Sequence, residues 1–247
     1  MTRHALSGFD ASFFAAETSA TPMHTLKVLT LSLPAGTRCP REHARQALAR
    51  AVRALPVLRC RPRERGLRRP VWEEVEVDLD AHVSAETLWP GGSLERALAD
   101  FVEPLLPRDR PLWAAHILDA PRADAVRIAV KYHHSLSDGL GSGRALERLA
   151  GQPAPPPAPA PTCSPRGLWS LLVATVVGLL RSLRFPQAAP FASAGEPYDA
   201  DVDASRRVGL ASLPLAAVRA AKEGEPATVN DVLLTLVALA LRRLEPG

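Results

Sequence analysis

The chain has 247 residues, 47% of them hydrophobic, with 30 Lys and Arg against 26 Asp and Glu for a net charge of +4. That length accommodates one large domain or one and a half ordinary ones, enough to bury a real core. Aromatic residues are few and none is interleaved with a basic helix, which excludes a nucleic-acid-binding reading, and the mild excess of arginine leans only weakly toward anionic partners such as phosphates or acidic lipid headgroups.

Cys39, Cys60 and Cys163 are odd in number and widely spaced, so neither a disulfide framework nor a CxxC metal site emerges and a reducing compartment is the simpler reading. Met1 to Asp10 lacks an apolar core followed by a small-residue cleavage site, so no signal peptide is expected and the cytoplasm is the expected location. Along the chain, Leu6 to Phe14 is an apolar opening with Ser7 or Asp10 available as a helix cap. Thr21-Pro22-Met23-His24 leads into a strand, Leu26 to Leu31, ended by Pro34. Arg41 to Leu55 places Ala44, Ala47, Leu48, Ala51, Val52 and Leu55 on one face of an amphipathic helix.

Two antiparallel strands are predicted next, beginning with Val57 to Arg61 and continuing with Val71 to Val77, joined by an arginine-rich connection. Arg61, Arg63, Arg65, Arg68 and Arg69 read either as a phosphate-binding loop or as a solvated turn, and charge runs favour the second. Asp78 to Val83 continues extended or turns, and His82 reads as a surface or locally bonded histidine. Ser93 caps a helix carried to Leu106 and ended by Pro107. Pro111 to Asp119 is a short strand with residues 126–133 as its antiparallel neighbour, and His116 reads as a core or edge histidine.

In that second strand Val126, Ile128, Val130 and Tyr132 alternate with Arg127, Ala129 and Lys131, the period of a half-buried strand. It runs into His133-His134-Ser135-Leu136-Ser137-Asp138-Gly139, where side chains can face a cleft. An imidazole takes and returns a proton near neutral pH. Asp138 is placed to orient the ring or to anchor the turn through a cation, and Gly139 lets the backbone bend.

Seven prolines between Pro153 and Pro165 form a semi-rigid linker and mark a domain boundary. Gly167 to Leu180 is the most apolar stretch, too short as a helix to span a bilayer; it reads either as an interfacial membrane helix or as a buried helix between domains. Arg207 to Leu210 is a possible strand and Leu213 to Lys222 a short helix. Thr228-Val229-Asn230-Asp231 caps a final helix, Val232 to Leu244, apolar on most faces, and an expectation follows that more protein covers it.

Irregular alternation of helices and strands with antiparallel pairs favours an α/β or α+β two-layer sandwich over a doubly wound parallel sheet. No GxGxxG follows a strand, no GxSxG elbow is present, and Gly139 to Gly143 lacks the Lys-Ser/Thr of a phosphate loop. Metal binding by His133, His134 and Asp138 is disfavoured, since adjacent strand residues point to opposite faces.

The HHxxxDG pattern of residues 133–139 resembles the active-site motif of CoA-dependent acyltransferases. With Thr21-Pro22-Met23-His24, Val71-Trp72, Asp78 to Val83, Pro111-Leu112-Trp113 and Asn230-Asp231, the chain resembles the amino-terminal half of the wax ester synthase/diacylglycerol acyltransferases. The resemblance implies a chloramphenicol acetyltransferase-like fold with a mixed sheet and helices. It implies domains at 1–150, carrying the motif, at 151–194, the linker and apolar helix, and at 195–247, the start of a second acyltransferase-like domain whose remainder is truncated.

It further implies acyl transfer from acyl-CoA, a co-substrate in place of any cofactor, to diacylglycerol or a long-chain alcohol. His134 would be the general base, His133 its support and Asp138 the residue that holds the loop, with Gly139 in the substrate-binding turn. Pro111, Leu112 and Trp113 would shape the acyl channel, and Asn230 and Asp231 would cap a helix of the site; plain core packing of Trp113 and a helix cap without substrate contact at Asn230 stand beside those roles. Peripheral association with a membrane or lipid-droplet surface, and self-association or a separately supplied carboxy-terminal half, complete the expected partners. The alternative function is a non-catalytic or partner-dependent half that binds lipid or membrane.

Overall fold

The structure, a computed structural model, describes residues 3–33, 36–37, 39–66, 68–119, 125–136, 176–177, 202–224 and 226–244. In chain order the elements are β1 (Arg3–Ala5), α1 (Gly8–Ala16), β2 (His24–Ser32), α2 (Pro40–Ala54), a 3-10 turn (Pro56–Arg59), β3 (Cys60–Arg65), β4 (Arg68–Glu74), β5 (Val83–Thr87), α3 (Leu94–Val102), β6 (Trp113–Asp119), β7 (Ala125–His133), α4 (Leu215–Ala220) and α5 (Val229–Leu244). The chain divides into two units, Met1–Ala158 with Asp203–Gly209, and Pro159–Val202 with Leu210–Gly247.

The first unit is built on a mixed sheet of order β2-β7-β6-β5, antiparallel except for the parallel β5–β6 pair, with a small antiparallel sheet β1-β4-β3 beside it in sequence. This is an α/β arrangement, as the alternation of elements implies. The apolar stripe of α2 (Ala44, Ala47, Leu48, Ala51, Val52) is buried as its spacing requires. It packs with Ile117, Val126, Ile128 and Val130 in the largest core cluster. Each of the larger side chains contributes roughly 1.5–3 kcal/mol by leaving water.

β7 departs from the half-buried expectation. Its other face, which includes Ala129, is covered by Ala97 and Leu98 of α3, so Ala129, Lys131 and His133 are buried too. Lys131 is thereby taken out of solvent, and its Nζ donates to the carbonyls of Phe101 and Pro104 at 2.9 and 2.6 Å. Burial pushes its ammonium down to about 8.

Other boundaries move for local reasons. The segment predicted to begin a strand at Val57 is first a 3-10 turn, because Pro56 at its start sets a helical φ. α3 stops at Val102 rather than Leu106, since Pro104, not Pro107, is the first residue that cannot continue it. β5 was not expected; residues 207–210 form no strand. In the second unit, Thr228 and Asp231 form the reciprocal cap: Asp231 Oδ2 accepts from the Thr228 N–H at 2.7 Å, and Thr228 Oγ1 accepts from the Asp231 N–H at 3.2 Å. α5 has no buried residue and exposes Leu234, Val237 and Leu244 among others. The proline-rich linker and all of 167–180 but Val176 and Val177 lie outside the described residues.

Candidate active site

The motif begins where β7 ends, and its backbone is pinned from two directions. The His133 N–H donates to the Leu112 carbonyl at 2.9 Å, and the His134 N–H donates to the Met23 carbonyl at 2.7 Å. The Thr-Pro-Met-His segment and the Pro-Leu-Trp segment thus flank the two histidines through main-chain bonds. The rings then diverge. His134 is half-buried and stacks on Phe13, with centroids 4.5 Å apart and planes at 14°. His133 is fully buried and meets the edge of Phe14 at 6.0 Å. One turn of α1 therefore offers consecutive aromatic rings to consecutive histidines.

His133 has a defined tautomer. Its Nδ1 accepts from the Ser135 N–H at 3.1 Å and lies 2.6 Å from Ser135 Oγ, so the ring hydrogen sits on Nε2. Nε2 faces Glu17 Oε1 at 3.5 Å, beyond a good hydrogen bond. Glu17 ends α1 and its carboxylate is 2% exposed. Its Oε1 accepts from the Met23 N–H at 3.3 Å, and its Oε2 lies 3.4 Å from Arg108, whose guanidinium covers the Phe14 ring at 3.9 Å.

His24 lies opposite His133 in the β2–β7 ladder; its Nε2–H donates to the Val102 carbonyl at 2.8 Å, and its Nδ1 is buried without a hydrogen-bond partner. Burial holds both His24 and His133 down at about 4, aided by Lys131 at His24 and by Arg108 and His134 at His133.

These shifts set an acid limit on stability. Above pH ~6.5 both imidazoles are neutral whether the chain is folded or not, and they contribute nothing to the pH dependence. Below it, the unfolded chain binds protons that the folded chain refuses. Stability is therefore expected to fall as pH drops from 6.5 to about 4, by about 3 kcal/mol from His133 at the full shift. Urea unfolding at intervals across that window measures the slope; a flat profile would contradict the assignment of a neutral, buried His133.

The remaining sequence-predicted residues fall into three groups. Pro111, Leu112 and Trp113 are buried; Leu112 packs with Phe14 behind His133, while Trp113 stacks on His82 at 4.4 Å and donates its indole N–H to the Leu58 carbonyl at 2.8 Å. His82 is not on the surface: it is buried, with Nδ1 2.7 Å from the Trp113 carbonyl oxygen. Asn230 and Asp231 sit in the first turn of α5, in the second unit, where Asp231 does the capping. Asp138 and Gly139 lie outside the described residues.

The arginine-rich segment is neither a simple solvated turn nor a free cationic loop. Arg61 and Arg63 both pair with the buried Glu73 at 3.1 Å, beside a cavity of about 440 Å³ where three guanidiniums face three carboxylates. Among the described residues no cluster of His, Cys, Asp and Glu is arranged to hold a metal ion.

Glu17, Phe13, Phe14 and Arg108 escaped the sequence reading. The one available signal was Glu17 itself, a single acid after the apolar run Phe13-Phe14-Ala15-Ala16 and shortly before Thr21-Pro22-Met23-His24.

A His-His pair at the end of an inner strand of a mixed sheet, followed by a turn, is the frame of a CoA-dependent acyltransferase fold. Residues 6–184 match the wax ester synthase/diacylglycerol acyltransferase catalytic domain, and the chain belongs to that family. Two Mycobacterium tuberculosis (H37Rv) proteins provisionally named diacylglycerol O-acyltransferases are 31% and 33% identical to it. These alignments cover 98% and 96% of this chain but 55% and 58% of theirs. The solved wax ester synthase/diacylglycerol acyltransferase of Marinobacter aquaeolei VT8 superposes with a TM-score of 0.65 at 26% identity, over 97% of this chain and 60% of that one. The tallysomycin biosynthesis protein TlmII shares the fold alone, at a TM-score of 0.53 and 16% identity over 75% of this chain and 46% of its own. The chain spans about half the length of the curated relatives it matches. No described helix is long and apolar enough to cross a membrane.

Proposed function

We propose that the chain carries the proton-transfer centre of an acyltransferase that moves a long-chain acyl group from acyl-CoA to diacylglycerol or a long-chain alcohol. The observation that carries this reading is the contrast between the two histidines. His134 keeps a partly accessible ring on a backbone fixed to Met23, and His133 is wholly buried, its Nδ1 engaged by Ser135 and its Nε2 enclosed without a hydrogen bond.

In the proposed step His134 takes the proton from the acceptor hydroxyl as its oxygen attacks the thioester carbonyl. The C–S bond breaks, and the imidazolium returns the proton to the departing CoA thiolate, so no acyl-enzyme is needed. His133 supports the turn from beneath through Ser135. Asp138 holds the loop, and Pro111 and Leu112 shape the wall behind the pair. Peripheral attachment to a lipid surface, in the cytoplasm, fits substrates of this kind.

The test is release of free CoA from palmitoyl-CoA by the full chain, with and without hexadecanol or diacylglycerol, read by a thiol reagent. Acceptor-dependent release lost in His134→Ala supports the reading; acceptor-dependent release retained by that variant overturns it.

Phe13 sets the plane of the His134 ring in this scheme. Phe13→Leu keeps apolar bulk but loses the flat face, and is expected to lower kcat about tenfold with KM nearly unchanged, with Phe13→Trp restoring it. Steady-state kinetics on the two variants check this; equal kcat in wild type and Phe13→Leu would remove Phe13 from the site.

A further inference from the structure

A second cluster, outside the histidine pair, lies on the first unit's main sheet where β5 and β6 run parallel. Ser84 and Glu86 occupy alternate positions of β5 and so project to one side of the sheet, and His116 of β6 is the ladder partner of Ser84. Ser84 Oγ is 2.7 Å from His116 Nδ1, and His116 Nε2 faces Glu86 Oε2 at 3.5 Å. The imidazole is 12% exposed and is held flat against Phe101, with centroids 5.3 Å apart and planes at 21°. All three polar side chains line a cavity of about 400 Å³, with Ala97, Phe101 and Pro104 supplying apolar wall, Lys131 its ammonium and Asp100 a carboxylate paired with Arg96. That volume lies toward the small end of ligand pockets, roughly 300–1,000 Å³.

The arrangement supplies two parts of an activated nucleophile, a hydroxyl and a base within hydrogen-bond reach, and places a carboxylate 3.5 Å from the base's other nitrogen, just beyond a good hydrogen bond. With Nδ1 accepting from Ser84, the ring hydrogen is on Nε2, the nitrogen that faces Glu86. The Glu86 side chain is 53% exposed and free to close the last few tenths of an ångström, as such contacts do when substrate binds. Lys131 spends two of its three donors on the Phe101 and Pro104 carbonyls, which leaves one for a developing negative charge.

We propose that Ser84, His116 and Glu86 form a nucleophile, base and orienting carboxylate that hydrolyse short-chain acyl esters, a second activity independent of His134. Ser84 Oγ attacks the ester carbonyl while its proton passes to His116 Nδ1, and Lys131 offsets the charge gathered on the carbonyl oxygen. Collapse breaks the ester C–O bond, and the imidazolium gives its proton to the leaving alcohol. Water then attacks the acyl-serine, its proton passes to His116, and collapse frees the carboxylic acid as Ser84 Oγ recovers a proton. Glu86 acts as a positioning residue through the ring.

The full chain, treated with diisopropyl fluorophosphate and digested for mass spectrometry, is expected to carry the label on Ser84. Hydrolysis of p-nitrophenyl acetate is expected to fall about a hundredfold in Ser84→Ala. It is expected to fall about tenfold in kcat with unchanged KM in Glu86→Gln, both variants keeping the wild-type melting curve because both side chains are exposed. An unlabelled Ser84, or p-nitrophenyl acetate hydrolysis undiminished in Ser84→Ala, overturns the proposal.

Discussion

His134→Ala is expected to lower acceptor-dependent CoA release by about a thousandfold, within the range that a positioned general base contributes. The same change should cost only about 1 kcal/mol of stability, the worth of one aromatic stack on a partly solvated ring. That separation distinguishes a chemical role from a structural one. His133→Ala is expected to behave differently: it removes a fully buried ring, leaves the Ser135 N–H without its acceptor, and costs about 2–4 kcal/mol. Its loss of turnover should therefore track loss of fold. Circular dichroism melts beside the CoA-release assay decide the matter. If His134→Ala unfolds while His133→Ala stays folded and active, the two roles have been assigned the wrong way round.

The parts of this chain that were legible in sequence are those whose cause is local. The stripe of α2 recurs every three or four residues and is buried as written. Ser7, Ser93 and Thr228 each stand just before a helix and accept from its first turn. The motif at 133–139 declared itself through residue type and spacing. What was illegible depends on partners far away in the chain.

Val83-Ser84-Ala85-Glu86-Thr87 alternates over only five residues, with Val83 its one large apolar side chain, and becomes a strand where β6 offers it a parallel edge. Lys131 reads as solvent-facing from the alternation of β7, and only the placement of α3 over that face reverses the reading. His82 and Trp113 stack because two segments cross, and neither segment announces it. The apolar pattern runs past Pro104 to Leu105, although α3 ends at Val102. Backbone chemistry overrode periodicity there.

Glu17 combines these lessons, and its substitution is the second large effect expected. A carboxylate buried to 2% exposure survives inside a protein only where its charge is met. Here that is done by Arg108 and by the Met23 N–H. Glu17→Leu removes the charge yet leaves those donors facing a methyl group. Arg108 is 40% exposed and can turn to water, but the Met23 N–H cannot follow it as easily. The expected cost is about 2–3 kcal/mol, the lower end for breaking a buried pair.

Because Met23 also supplies the carbonyl that holds the His134 N–H, the disturbance passes directly to the proposed base. Turnover should fall further than stability alone predicts. Glu17→Gln keeps the shape and one acceptor, and is expected to recover most of the stability but little of the turnover. Urea melts with CoA-release kinetics on both variants measure the two effects. Wild-type kcat in Glu17→Gln would show that Glu17 serves the fold alone and that the histidine pair needs no charge beneath it.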